Sequence, residues 1–195
     1  MARRLIGTAV TDANGEATIT YTGTGAGQLN VVAESGTFVS ETFSVLDALM
    51  YDEGTSDKSS DWSLSSVTYT VASDGILLDN QSGANRWSIP KVNGSASGYI
   101  TSGEDYCMEV DIKNNNATQI SLIIGGASTD VKNNVSTSDW THIKFYTDGN
   151  TLYVQINDGT PTSKSISYSN SYVQFRVGNG ESYYFKNLKL YKTIV

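Results

Sequence analysis

Glu109, Asp111 and Lys113 alternate with Val110 and Ile112 along the segment EVDIK. Successive side chains of a strand point to opposite faces, so the three charged groups share one face and the apolar ones the other. Two carboxylates on one strand face are raw material for glycoside hydrolysis, in which one attacks or activates water and a second carboxyl protonates the leaving oxygen. The next position on that face is Lys113, and its neighbour is Asn114, so a further glutamate is missing at either spacing. A lysine of ordinary pKa does not deliver that proton at neutral pH. The segment therefore reads as a solvated face backed by Met108, Val110 and Ile112, and the chain as non-enzymatic.

Other reactive groups are sparse. Cys107 and His142 are the sole cysteine and histidine, each in the middle of an expected strand where packing or a solvated face is the commoner role. No G-x-S-x-G or H-E-x-x-H sequence occurs, and one histidine with one cysteine makes a poor transition-metal site. Hard oxygen ligands are better represented. Asp52, Glu53, Asp57 and Asp61 crowd one loop and are the candidate ligands of a structural Ca²⁺, although no D-x-D-x-D-G spacing accompanies them. Acidic residues also sit in loops simply to cap local backbone.

Ligand binding would rest on rings. Sugars offer C–H faces to aromatic side chains and hydroxyls to amides, carboxylates and guanidinium groups. The candidates are Arg86, Trp87, Tyr99, Tyr168, Tyr172, Asn179 and Tyr183. Alternation groups Trp87 with Ile89 and Arg86 with Ser88, and the favoured orientation has Trp87 inward and Arg86 exposed. In the last apolar run Tyr184 falls with Leu188 and Leu190, which are expected in the core. Tyr183 is then left partly exposed.

These residues must be positioned by strands. The 195 residues are 38% hydrophobic, with two prolines, 18 glycines and many β-branched residues and tyrosines, a composition that favours β structure. A net charge of −7, with Arg3-Arg4 the one basic cluster, argues against nucleic-acid binding. A single cysteine excludes an internal disulfide, and no apolar run approaches a membrane span. Leu5-Ile6 is too short for a signal-peptide core, so export to a cell surface would need a signal outside this sequence, while assembly into a virion would not. Sequons at Asn80, Asn93, Asn116 and Asn134 fall in expected loops, but a chain this rich in Asn, Ser and Thr produces them by chance.

Asp139 to Gly159 (DWTHIKFYTDGNTLYVQINDG) reads as a β-hairpin turning at Asp148-Gly149-Asn150. Further strands are expected at Ala48–Tyr51, Val67–Ala72, Gly75–Asp79, Asn85–Ile89, Tyr106–Lys113, Gln119–Gly125, Tyr172–Val177 and Ser182–Lys192. Ahead of them, Gly7–Thr11, Ala17–Tyr21, Gln28–Ala33 and Thr37–Val45 form a separate group of short strands. The organisation is thus all-β, with a small segment at 1–46 and a larger sandwich at 47–195.

Three stretches resemble one family. The central hairpin, the entry LMYDEGTSDKSSDW and the closing YYFKNLKLY are similar to concanavalin A-like (laminin-G-like) jelly-roll sandwiches. That resemblance implies glycan or surface recognition and places Trp62 and Trp140 at core positions. Glycoside hydrolases of this fold carry E-x-D-x-E or E-x-D-x-x-E on one strand, a pattern that Lys113 and Asn114 break here. The phrase TDANGEATITYTGTGAGQLNVVAES resembles the last strands of bacterial Ig-like repeats of the invasin and intimin kind. About half of such a repeat is present, so its apolar face is expected to pack on the sandwich or on another subunit of a homo-oligomer. The combination resembles the tips of adhesin-like surface proteins of methanogenic archaea, or tail proteins of their viruses. It implies an extracellular module that binds a cell-surface glycan or host receptor without entering the membrane. A structural spacer and a glycoside hydrolase with an unrecognised acid are the alternatives.

Overall fold

The structure, a computed structural model, describes residues 27–35, 38–101, 104–124, 127–148, 150–167 and 172–193. The strands expected at Gly7–Thr11 and Ala17–Tyr21, and the candidate Tyr168, lie outside them. The fold is an all-β sandwich of two antiparallel sheets.

The larger sheet runs β1 (Gly27–Ser35), β2 (Phe38–Asp52), β14 (Glu181–Thr193), β7 (Asp105–Asn114), β10 (Thr141–Asp148), β11 (Thr151–Ile156) and β12 (Thr162–Ser165). A side branch, β4 (Thr68–Ala72) with β5 (Gly75–Asn80), joins through β5 to the first half of β14. The smaller sheet runs β3 (Trp62–Leu64), β6 (Arg86–Pro90), β13 (Gln174–Val177), β8 (Ser121–Ile124) and β9 (Ala127–Asp130).

Strand β2 corrects one expectation. From Phe38 onward the two expected runs are a single 15-residue strand that passes unbroken through position 46/47. Its first part pairs with β1 and its last part, Ala48 to Asp52, pairs with the end of β14. Strands β3, β9 and β12 were not expected, being only three or four residues long, too short to show an alternation of their own.

The core fills the space between the sheets. Ile76, Leu78, Met108, Val110, Ile112, Ile143, Phe145, Phe185, Leu188 and Leu190 enter from the large sheet, and Leu122, Phe175 and Val177 from the small one. Trp62, Phe175 and Phe185 meet at centroid separations of 5.1 to 6.1 Å and bridge the two layers. Beneath them lies Asp52, fully buried and fully bonded. Its Oδ2 accepts from Trp62 Nε1 (3.0 Å) and the Tyr69 hydroxyl (2.7 Å), and its Oδ1 from Gly54 N (3.0 Å). A buried carboxylate costs stability unless donors surround it, and here three do.

One irregularity decides which residues face outward. Strand β14 follows β7 in register to Lys186 opposite Asp111, slips by one residue, and resumes with Lys189 opposite Glu109. The extra residue is Asn187, at φ +52°, a conformation that Asn adopts more readily than most residues. Such a bulge resets the alternation. Tyr183 and Phe185 point inward before it, and Leu188 and Leu190 point inward after it. The expectation that Tyr184 is core and Tyr183 exposed is therefore reversed. Tyr183 is fully buried, its hydroxyl donating to Arg176 O at 3.1 Å, and Tyr184 lies on the outer face.

Candidate functional site

The outer face of the large sheet carries side chains in cross-strand rows. In one row Glu109 lies between Lys144 and Lys189, with Tyr51 beyond Lys189 and Gln155 beyond Lys144. In the next, Asp111 lies between His142 and Lys186. In a third, Cys107 lies between Tyr146 and Tyr191, with Tyr153 beyond Tyr146. From β2 to β11 this is four strand spacings, roughly 19 Å.

Hydrogen bonds fix the carboxylates. Glu109 Oε1 accepts from the Tyr191 hydroxyl at 2.8 Å and lies 3.5 Å from Lys144 Nζ. Asp111 Oδ1 is 2.7 Å from His142 Nδ1, and its Oδ2 accepts from Asn187 Nδ2 at 2.7 Å. The bulge residue thus also orients a carboxylate. The expected shared face of Glu109, Asp111 and Lys113 is present, with Met108, Val110 and Ile112 fully buried behind it. The side chains directly across from both carboxylates are lysines and a histidine. No carboxyl lies directly opposite Glu109 or Asp111 on either neighbouring strand. Cys107 and His142 are not neighbours either. They are four residues apart in register, roughly 13 Å along the strand. Burial pushes the Cys107 thiol up to about 11 and the Tyr191 phenol higher still.

Several rings on this face are partly exposed. Tyr146 and Tyr153 stack at 4.9 Å with their planes 9° apart, and Tyr51 is 47% exposed. Trp140, expected in the core, is half-buried instead. It immediately precedes β10, where its indole meets Lys186 Nζ at 4.2 Å and Lys113 Nζ at 5.1 Å from the ring centroid. Cations over an indole face are attracted by its quadrupole and hold the ring in place.

At this end of the face opens a groove of ≈ 400 Å³ lined by Glu53, Thr55, Ser73, Asp74, Trp140 and Lys186, with Gly54, Gly75 and Ala72 between them. Two glycines permit it. A Cβ at Gly75 would lie 2.7 Å from Phe185 O and 3.0 Å from the Trp140 ring, and one at Gly54 would lie 2.8 Å from Lys186 Cβ. Lys58 hydrogen-bonds Glu53 and holds its carboxyl at about 2. Lys113, 2.9 Å from Asp74, lowers that carboxyl in the same way, with Lys186 adding a weaker pull.

The acidic loop does not converge on one point. Asp52 is spent on its three buried donors, Glu53 faces Lys58 and the groove, and Asp57 Oδ1 accepts from Ser59 N at 2.9 Å. Asp61 is exposed at the end of a short 3₁₀ turn. Among the described residues no three His, Cys, Asp or Glu side chains are grouped to hold a metal ion.

The ring candidates read from sequence scatter as well. Trp87 shares the outer face of the small sheet with Ile89 and Arg176, while Ser88 is the buried member of β6, so the favoured inward orientation of Trp87 is reversed. Arg86 falls on the inner row opposite Val177, its Nε buried and without a hydrogen-bond partner. Tyr99 packs against the core, its hydroxyl donating to Pro90 O (2.9 Å) and accepting from Val173 N (3.0 Å). Tyr172 is half-buried beside Val173, and Asn179 is exposed in a turn where its Oδ1 accepts from Gly83 N at 2.9 Å. Trp140, Tyr146, Tyr153 and Lys186 were missed. The outward alternation of His142, Lys144 and Tyr146 in β10 was the available signal for the hairpin pair.

No protein-family model matches the sequence, and no curated protein matches it. Solved structures do. The carbohydrate-binding module CBM66 from Bacillus subtilis is similar at a TM-score of 0.51 and 14% identity, over 68% of this chain and 96% of that one. A protein of unknown function with a galectin-like fold, also from Bacillus subtilis, is similar at a TM-score of 0.52 and 9% identity, over 74% and 96%. At these identities the likeness is one of fold, and it extends over nearly the whole of both neighbours.

Proposed function

We propose that this chain is a non-catalytic module that binds polysaccharide along the outer face of its larger sheet. The observation that carries this reading is the juxtaposition of one exposed ring (Tyr51) and three half-buried ones (Trp140, Tyr146, Tyr153) with bonded, oriented polar groups on one surface. Rings take the C–H faces of sugars, and carboxylates, lysines and amides take their hydroxyls. Pre-oriented side chains lose little entropy on binding. The fold shared with a carbohydrate-binding module supports the same reading. In the wider setting the module is the distal domain of an adhesin or viral tail protein on a cell-envelope glycan, preceded by the Ig-like segment. Shallow individual sites then gain strength through display in several copies.

The test is a glycan array probed with the chain displayed multivalently. Selective binding that Trp140→Ala and a Tyr146→Ala/Tyr153→Ala pair each weaken about tenfold, as for loss of stacking contacts of 1–3 kcal/mol, supports the proposal. Binding that only Trp87→Ala weakens moves the site to the small sheet. Absence of any glycan binding leaves a structural module.

A further inference from the structure

We infer that the polysaccharide is acidic, and that Lys186 and Lys189 are the groups that receive its negative charges. The inference rests on the proposed carbohydrate-binding reading and deepens it.

In the two central rows of the face, Lys144, Lys186, Lys189 and His142 surround Glu109 and Asp111. Each carboxylate already has its partners. Glu109 takes the Tyr191 hydroxyl and Lys144, and Asp111 takes His142 and Asn187, one on each oxygen. In the groove Glu53 takes Lys58 and Asp74 takes Lys113. Among the described residues neither Lys186 nor Lys189 forms an ion pair, and Lys186 pulls only weakly on the Asp74 carboxyl that Lys113 already holds.

The two ammonium groups are also not equivalent to freely waving surface lysines. Lys186 Nζ is held 4.2 Å above the Trp140 ring, and Gly54 lets the 53–55 loop press on its stem. Lys189 stands between Glu109 and the exposed Tyr51, one bulge further along the same strand. A ring with a charged substituent could stack beside Trp140 or Tyr51 while its anion meets the adjacent ammonium. An anion there completes a charge-assisted hydrogen bond, which a neutral sugar does not. The carboxylates of uronate polymers and the ester groups of sulfated ones share that chemistry.

The chain, displayed on streptavidin, is tested against polygalacturonate, alginate, hyaluronate and dextran sulfate, each beside a neutral counterpart: methyl-esterified or carboxyl-reduced polymer, or plain dextran. The expected result is binding to an acidic polymer and at least tenfold weaker binding to its neutral form. Lys186→Gln/Lys189→Gln, with unchanged thermal unfolding, should weaken acidic binding about tenfold and flatten its salt dependence. The carboxylate and sulfate arms identify which anion is used. Equal binding of acidic and neutral polymers, or a double variant that binds like the parent, overturns this inference while the carbohydrate reading stands. No binding to any polymer, charged or neutral, overturns both.

Discussion

The two outer faces of this sandwich obey the same alternation rule and end up chemically opposite. On the large sheet the outward positions of β7, β10 and β14 carry lysines, carboxylates and rings, several of them open to solvent, such as His142 with 43% of its side chain exposed. On the small sheet the outward row of Trp87, Arg176 and Ser121 is largely closed. Arg176 keeps only 13% of its side chain exposed, donating to Gln119 O at 3.4 Å and lying 3.8 Å from Glu181. Ser121 is buried and accepts from Gln119 Nε2 at 2.9 Å. The difference teaches that composition alone does not mark a binding face. Trp87 and Arg86 have the residue types a lectin uses, yet they lie on opposite sides of their strand, with Arg86 on the inner row. Trp140 and Lys186 are brought together at the edge of a groove.

That contrast can be broken at its origin. Deleting Asn187 removes the bulge, so one half of β14 must present its apolar residues to solvent. The chain should lose cooperative unfolding altogether, seen as loss of near-UV circular dichroism. If the deletion folds normally, the bulge does not set the faces. Next in size is Asp52→Ala, which leaves three buried donors without an acceptor beneath both faces. It should cost about 3–9 kcal/mol in denaturant unfolding, at roughly 1–3 kcal/mol for each unpaired group. Both faces should suffer alike, because the anchor is common to them.

Smaller and more discriminating is the pair Trp140→Ala and Trp87→Ala. The first should lower glycan avidity about tenfold and the second less than about twofold, measured on the same array. The reverse ranking would exchange the roles of the faces. Smallest is the acid response of the groove. Glu53 is lowered from 4.5 to about 2 by Lys58, so its contribution is present above pH 4.5 and disappears as pH falls through about 2. The melting temperatures of the parent and Glu53→Gln should therefore converge over that interval. The gap should be slight throughout, because the pair is exposed to solvent. A gap that widens on acidification would contradict the sign.

Much of the scaffold was legible from residue order. Period-two alternation located the strands from β4 to β7, β10 and β11, and β14 within a few residues, and it put Met108, Val110 and Ile112 inside. It failed where a local exception intervened. Tyr183 and Tyr184 were assigned to the wrong faces because a bulge at Asn187 leaves no mark on hydrophobicity. Trp87 and Arg86 were reversed because a five-residue strand with Trp, Ser, Ile and Pro reads equally well from either side. The four acidic residues of 52–61 are close in sequence, while in space Asp52, Glu53 and Asp57 each answer to different neighbours and Asp61 is exposed.

The sequence by itself determined that the chain forms strands, that they pack as a sandwich, and that Glu109, Asp111 and Lys113 share a surface. Those properties follow from alternation and turn chemistry, which act between residues a few positions apart. The tertiary structure alone decided which way each half of β14 faces, which carboxylates and cations pair, and which tryptophan lies under the lysines. Lys186 meets Trp140 across 46 positions and Asn187 meets Asp111 across 76. Such contacts depend on the register between strands distant in sequence, and one extra residue in β14 is enough to turn a face over.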